Sequence, residues 1–149
     1  MTVSMEVFSV DVSYIIMPFF AWLVAGSSKF IINSLKAKQL AFGLIGYGGM
    51  PSTHSAIVSS MAALIAFKEG IESPALGVAI ALAFIVLLDA NSLRNQVGKQ
   101  AKAINRLNQE SDTVDLSERL RERMGHSKLE ILGGVVVGII TAYIVQLVS

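Results

Sequence analysis

Four long apolar stretches limit what this chain can fold into. They cover residues 12–28 (continuing weakly past Lys29 to 35), 52–67, 74–88 and 131–149. A bilayer core about 30 Å thick takes roughly 20 helical residues. The second and third stretches are short by that measure. They reach it only with their polar flanks, or where the bilayer thins. The competing arrangement is a soluble bundle with buried helices, but the stretches show no polar face of helical period. Hydrophobic residues make up 53% of the 149 positions and charged residues 15%, a more apolar balance than in soluble domains. The first ten residues lack a basic start and an apolar core, so no secretory signal is expected. The pattern predicts an all-α integral membrane protein, residues 1–149 forming one domain. It has about four transmembrane helices, near 12–35, 52–68, 74–91 and 127–148.

The one soluble-looking segment separates the third and fourth stretches. Leu93, Val97, Ala101 and Ile104 fall on one helical stripe, among Arg94, Lys99, Lys102 and Arg106. Leu116, Leu120 and Met124 suggest a second short helix, with Ser111 and Asp112 as a turn or cap between the two. A polar helical segment near 92–124 is therefore expected. It either lies on the membrane surface or extends the bundle into solvent.

An up-down bundle places the end of one helix and the start of the next on the same side. Lys29, Lys36, His54, Asp89, Arg94, His126 and Glu130 then all share one face. The connections 29–54 and 89–130 hold Lys29, Lys36, Lys38, Arg94, Lys99, Lys102, Arg106, Arg119, Arg121, Arg123 and Lys128. That is 11 of the 12 basic residues, leaving Lys68 for the opposite face. Lys and Arg in short connections stay inside. The polar face, with its amphipathic segment, is therefore expected to be cytoplasmic and both termini outside.

That face has the chemistry of an oxyanion site. His54 falls in the first turn of its helix, where unpaired N–H groups and the dipole favour an anion. Gly48 and Gly49 allow the backbone to approach a ligand, and Pro51 stiffens the approach. Ser52 and Thr53 either cap the helix or donate to the anion. Glu130, four residues after His126, can fix an imidazole tautomer, the arrangement of nucleophilic or general-base catalysis. Lys29, Lys36 and Arg94 supply positive charge. The plainer readings are helix caps for the histidines, topology signals for the cations, and a cap or ion pair for Asp89. Two His and two carboxylates could also hold a divalent ion, but a helix start with glycines suits phosphate better. The chain has no cysteine, which excludes thiolate metal sites and a thiol nucleophile.

These residues also carry a resemblance. "GGMPSTHSA" resembles the PSGH motif of the type-2 phosphatidic acid phosphatase superfamily, which includes the vanadium haloperoxidases. "GHSKLEILGG" is similar to that superfamily's last motif, where Asp follows His by four residues. The run "YGGMPSTHSA…LLDANSLRNQVGKQA…MGHSKLEILGG" resembles a divergent bacterial and plastid branch. The likeness spans roughly residues 25 to 145.

The resemblance implies that His126 is a nucleophile forming a phosphohistidine, that Glu130 orients it, and that His54 protonates the leaving oxygen. Gly49, Ser52 and Thr53 would hold phosphate oxygens, and no metal or other cofactor is implied. The chain departs from the family in three places. Lys36 and Ala37 stand where the first motif has Arg-Pro. Arg119 and Leu120 stand where Ser-Arg precedes the nucleophile, so Arg94 is the candidate replacement, with Asp89 or Ser92 beside it. Four helices stand in for the usual six. The implied function is a membrane phosphatase for phosphatidic acid, phosphatidylglycerophosphate or a prenyl diphosphate. The alternative is a binding protein or transporter that keeps the phosphate pocket without hydrolysis. The partners expected are the bilayer and a phosphorylated lipid, not nucleic acid. Gly134 and Gly138 form a small-xxx-small pair, expected to meet another helix or a second copy of the chain.

Overall fold

The computed structural model describes residues 11–38, 40, 49–110, 119–122 and 124–149. They form five helices and no strand: α1 (Ser13–Ala37), α2 (Thr53–Glu69), α3 (Pro74–Asn91), α4 (Leu93–Glu110) and α5 (Lys128–Val148). Three helical runs are long and apolar enough to cross a membrane: α1, α5, and Pro74–Gln109, which joins α3 to α4 across Ser92. This is an all-helical membrane protein.

The helix that falls short of that standard, α2, is the centre of the bundle. It packs against α1, α3 and α5, whereas α1 and α3 do not touch each other through their backbones among the described residues. Its buried residues are Ser55, Ala56, Val58, Ser60, Leu64 and Ile65. At 3.6 residues per turn these positions fall all round the helix. A helix enclosed by protein has no need of a long lipid-facing surface, and its small residues allow close neighbours. The outer helices carry the large apolar side chains instead. Phe19, Trp22 and Leu23 on α1, Val78, Phe84 and Ile85 on α3, and Leu132, Ile140 and Leu147 on α5 are all exposed. Such a belt suits lipid and argues against a soluble bundle.

The pair α2 and α5 run parallel, and glycine sets their approach. A Cβ on Gly134 would strike the Ser52 carbonyl and the Ser55 side chain. One on Gly138 would strike Ser59 and the Ala56 carbonyl. The Gly134/Gly138 face therefore meets α2 within the same chain. At the far end, Met17, Ala21, Leu64 and Ala142 form a fully buried cluster from α1, α2 and α5. Phe67 and Tyr143 meet edge to face there, 6.0 Å between centroids. That end also holds the Lys68–Asp11 ion pair at 2.7 Å.

The polar segment differs from expectation. α4 is a helix as its stripe predicts, but residues 119–122 and 124 are not helical. Ser111, Asp112 and Leu116 lie outside the described residues, as does Gly48. The reason for the non-helical course is visible. Asn105 of α4 accepts a hydrogen bond from Leu120 N at 3.0 Å and donates to Leu120 O at 2.8 Å. The backbone groups that a helix would use are paired with a side chain instead.

Candidate active site

The helix starts at α2 and α5 meet the end of α3 at one end of the bundle. Each is fixed by local chemistry. Ser52 caps α2: its hydroxyl oxygen accepts from Ser55 N at 3.4 Å and from the Ser55 hydroxyl at 2.9 Å. Ser52 N donates to Glu130 O at 2.8 Å, tying the two helix starts together. The Met50–Pro51 bond that leads into α2 is cis. Gly49, with φ 151°, lies beside the Asn33 carboxamide of α1. A side chain at that φ would be strained.

α5 opens with a capping box. Glu130 N donates to the Ser127 hydroxyl at 3.3 Å, and Ser127 N donates to Glu130 Oε2 at 2.8 Å. His126 therefore precedes the cap and is not part of the helix. Its own N–H donates to Ala90 O, at the end of α3, at 3.0 Å. The same Glu130 Oε2 lies 3.4 Å from His126 Nδ1. That separation is too long for a strong charge-assisted hydrogen bond. Nδ1 is buried and has no closer partner among the described residues. Glu130 thus caps the helix and faces the imidazole at once.

The two histidine rings sit 6.5 Å apart, centroid to centroid, tilted by 52°. His126 is buried at 8% exposure, whereas His54 is exposed. Arg94 Nη2 lies 3.5 Å from His54 Nε2, and Arg94 Nε donates to Asp89 Oδ2 at 2.8 Å. The Asp89–Arg94 pair is about one-third exposed on each side, so solvent weakens it as a source of stability. Lys29 is half-buried, and its charge acts on both histidines and on Glu130. Burial, then Lys29, holds His126 below its ordinary pKa of 6.5, with Glu130 pulling the other way. His126 is therefore neutral near pH 7.

The structure thus brings together His54, His126, Glu130, Arg94, Asp89 and Lys29, with Gly49 and Thr53 at the approach to α2. Lys36 is exposed, two turns beyond Lys29 on α1, and none of the contacts described above includes it. Ser52 is fully buried, with both its hydroxyl contacts running inward. Thr53 and His54 are the first two residues of α2, where backbone N–H groups have no helical acceptor. Two residues escaped sequence reading: Asn33, and Asn105 with its grip on the segment before His126. Asn33 was visible only as the residue one turn beyond Lys29. Among the described residues, no three His, Asp or Glu side chains gather as a metal site requires.

An all-helical membrane protein with paired histidines at its helix starts is the class these features define. The sequence profile of the divergent PAP2 family matches residues 10–141, and the chain belongs to that family. It is 30% identical over 135 residues to the uncharacterized membrane protein YuiD of Bacillus subtilis, covering 81% of this chain and 83% of that one. No solved structure matches it.

Proposed function

We propose that this protein is a lipid-phosphate phosphatase working through a phosphohistidine. The observation that carries the reading is the placement of His126: neutral, its Nδ1 facing Glu130, its ring 6.5 Å from that of His54. A carboxylate at Nδ1 keeps the proton there and leaves Nε2 to react. Nε2 attacks phosphorus, the N–P bond forms, and the P–O bond to the lipid breaks. His54 gives a proton to the departing oxygen. Water, deprotonated by His54, then attacks phosphorus and the N–P bond breaks. Phosphate leaves, and both histidines return to their first state. Lys29, Arg94 and the N–H groups of Thr53 and His54 neutralise the equatorial oxygens, the main requirement of phosphoryl transfer. The α2 cap makes Ser52 a support for those N–H groups.

The site lies at one end of a lipid-facing bundle, which suits a substrate held in the bilayer by its tail, such as phosphatidic acid, phosphatidylglycerophosphate or a prenyl diphosphate. The basic residues gathered at that end support a cytoplasmic site, with α4 along the membrane surface. The test is a panel of these lipids in detergent without added metal. Phosphate release that vanadate blocks is the expected result. His126→Ala should lower turnover by about 10⁴-fold or more, and His54→Ala by about 10²–10⁴-fold. Binding of these lipids without turnover would instead favour a phosphate-binding or transport role.

A further inference from the structure

The residues that act on phosphate come from α1, α2, α4 and the start of α5, but the nucleophile itself sits on a stretch outside any helix. Residues 119–122 and 124–126, which lead to the α5 cap, are not helical. Something must hold that stretch if His126 is to keep a fixed position.

The geometry points to α4 as that support, with Asn105 as a positioning residue for the nucleophile. This rests on the phosphatase reading of the site. Asn105 is buried, at 4% exposure, and its whole carboxamide is used. Oδ1 accepts from Leu120 N at 3.0 Å, and Nδ2 donates to Leu120 O at 2.8 Å and to Glu122 Oε1 at 2.9 Å. Two of these bonds grip both backbone groups of one residue, as a neighbouring strand would. Asn95, Gly98 and Asn105 lie on one side of α4 by their spacing, and each meets the stretch. A Cβ on Gly98 would strike Glu122 O, and one on Gly125 would strike the Asn95 carboxamide. Gly125 turns the chain with φ 89° just before His126. The stretch is thus bonded to Asn105 at Leu120 and Glu122 and to Ala90 O at His126, and it packs closely on Gly98 at Glu122 and on Asn95 at Gly125.

The first turn of the same helix carries Arg94, which reaches His54. One rigid element therefore sets the distance between a phosphate-binding cation and the nucleophile. A misplacement of about 1 Å can cost about 10²-fold in rate. Loss of Asn105 frees the stretch without touching Arg94, Lys29 or the α2 start. The catalytic step should suffer and phosphate binding should not.

Two measurements test this in the full chain in detergent. The first is kinetic: Asn105→Ala should lower kcat about 10- to 100-fold with KM within about twofold of the wild type. The second needs no activity. The chain holds only two histidines, so carbethoxylation by diethyl pyrocarbonate, read by mass spectrometry, reports each separately. Asn105→Ala should raise the labelling rate of His126 several-fold and leave that of exposed His54 unchanged. A general loosening of the fold would move both. An unchanged His126 rate, or a wild-type kcat, overturns the positioning role. A wild type that turns over no lipid phosphate overturns the phosphatase reading, and the labelling still decides the part played by Asn105.

Discussion

His126 is the residue on which the proposed chemistry turns, and its environment sets how it responds to pH. Burial and Lys29 disfavour the imidazolium, so the folded protein binds the proton less tightly than the unfolded chain. The stabilisation linked to this group is present above the unfolded pKa and declines as pH falls through and below it. In the proposed mechanism the neutral ring is the nucleophile, so the acidic limb of kcat/KM should lie below 6.5. Lys29→Met removes the second of the two causes. It should move that limb to higher pH and raise KM, both read from one pH–rate series. A limb that stays in place would remove Lys29 from the electrostatics of the site. At this scale much was legible in the sequence. His54, His126, Glu130, Arg94 and Asp89 could be placed on one face because each sits at a helix end, and helix ends leave marks in composition. The partner arrangement was not legible. Glu130 reads as a residue one turn along from His126, yet it reaches the ring by folding back over Ser127 as a cap. Asn105 is one polar residue in a polar helix, and nothing local marks the peptide 15 positions away that it binds.

At the scale of elements, α2 explains why hydropathy alone ranks the helices wrongly. It is the shortest of the four apolar helices at 17 residues, and its serines lower its hydropathy, yet it is the helix that the others surround. Ser59 Oγ reaches the Ala56 and Val135 carbonyls, both at 3.5 Å, linking α2 to α5 where lipid could offer no partner. The close approach needs Gly134 and Gly138, and a larger residue has nowhere to go because the Ser52 and Ala56 carbonyls of α2 stand in its way. Gly138→Leu should destabilise the protein by about 1–3 kcal/mol or more, read as a lower unfolding midpoint in detergent. An unchanged midpoint would mean that the two helices are further apart than they are here. The pair was legible as a motif, but the choice between a neighbouring helix and a second copy needed the fold. α4 carries a different signal. Leu93, Val97, Ile104 and Leu107 are exposed along one of its sides, while Asn95, Gly98 and Asn105 face the stretch that leads to His126. If the exposed side rests on the bilayer, a fluorophore on Cys replacing Ile104 should shift to the blue when the protein is moved from a polar detergent into vesicles. An unshifted spectrum would leave α4 in water.

For the whole molecule, the proposed orientation rests on how charge divides between its two ends. The end with the histidines has Lys29, Lys36, Lys38, Arg94 and the basic residues of α4. The other end has Lys68 neutralised by Asp11 at 2.7 Å, with Glu69 bonded to Ser73. Helix α1 is about 37 Å long by its 25 residues, enough to span a bilayer and project beyond it. Basic residues in short connections hold their side inside, and near an anionic leaflet each contributes about 1 kcal/mol. Inversion would carry 11 of the 12 basic residues across the membrane. Lys29 and Arg94 have a reason to sit where they do apart from topology, because they face the histidines. Lys99, Lys102 and Arg106 of α4 are exposed and make no such contact, so they carry the orientation argument. The chain has no cysteine, so single replacements report cleanly. Gln109→Cys, on the α4 side, should resist a membrane-impermeant thiol reagent in intact cells and react after lysis. Glu72→Cys, exposed in the turn between α2 and α3, should react in intact cells. The reverse pattern would place the histidine pair outside, and its substrate would then be a phosphorylated lipid of the outer leaflet.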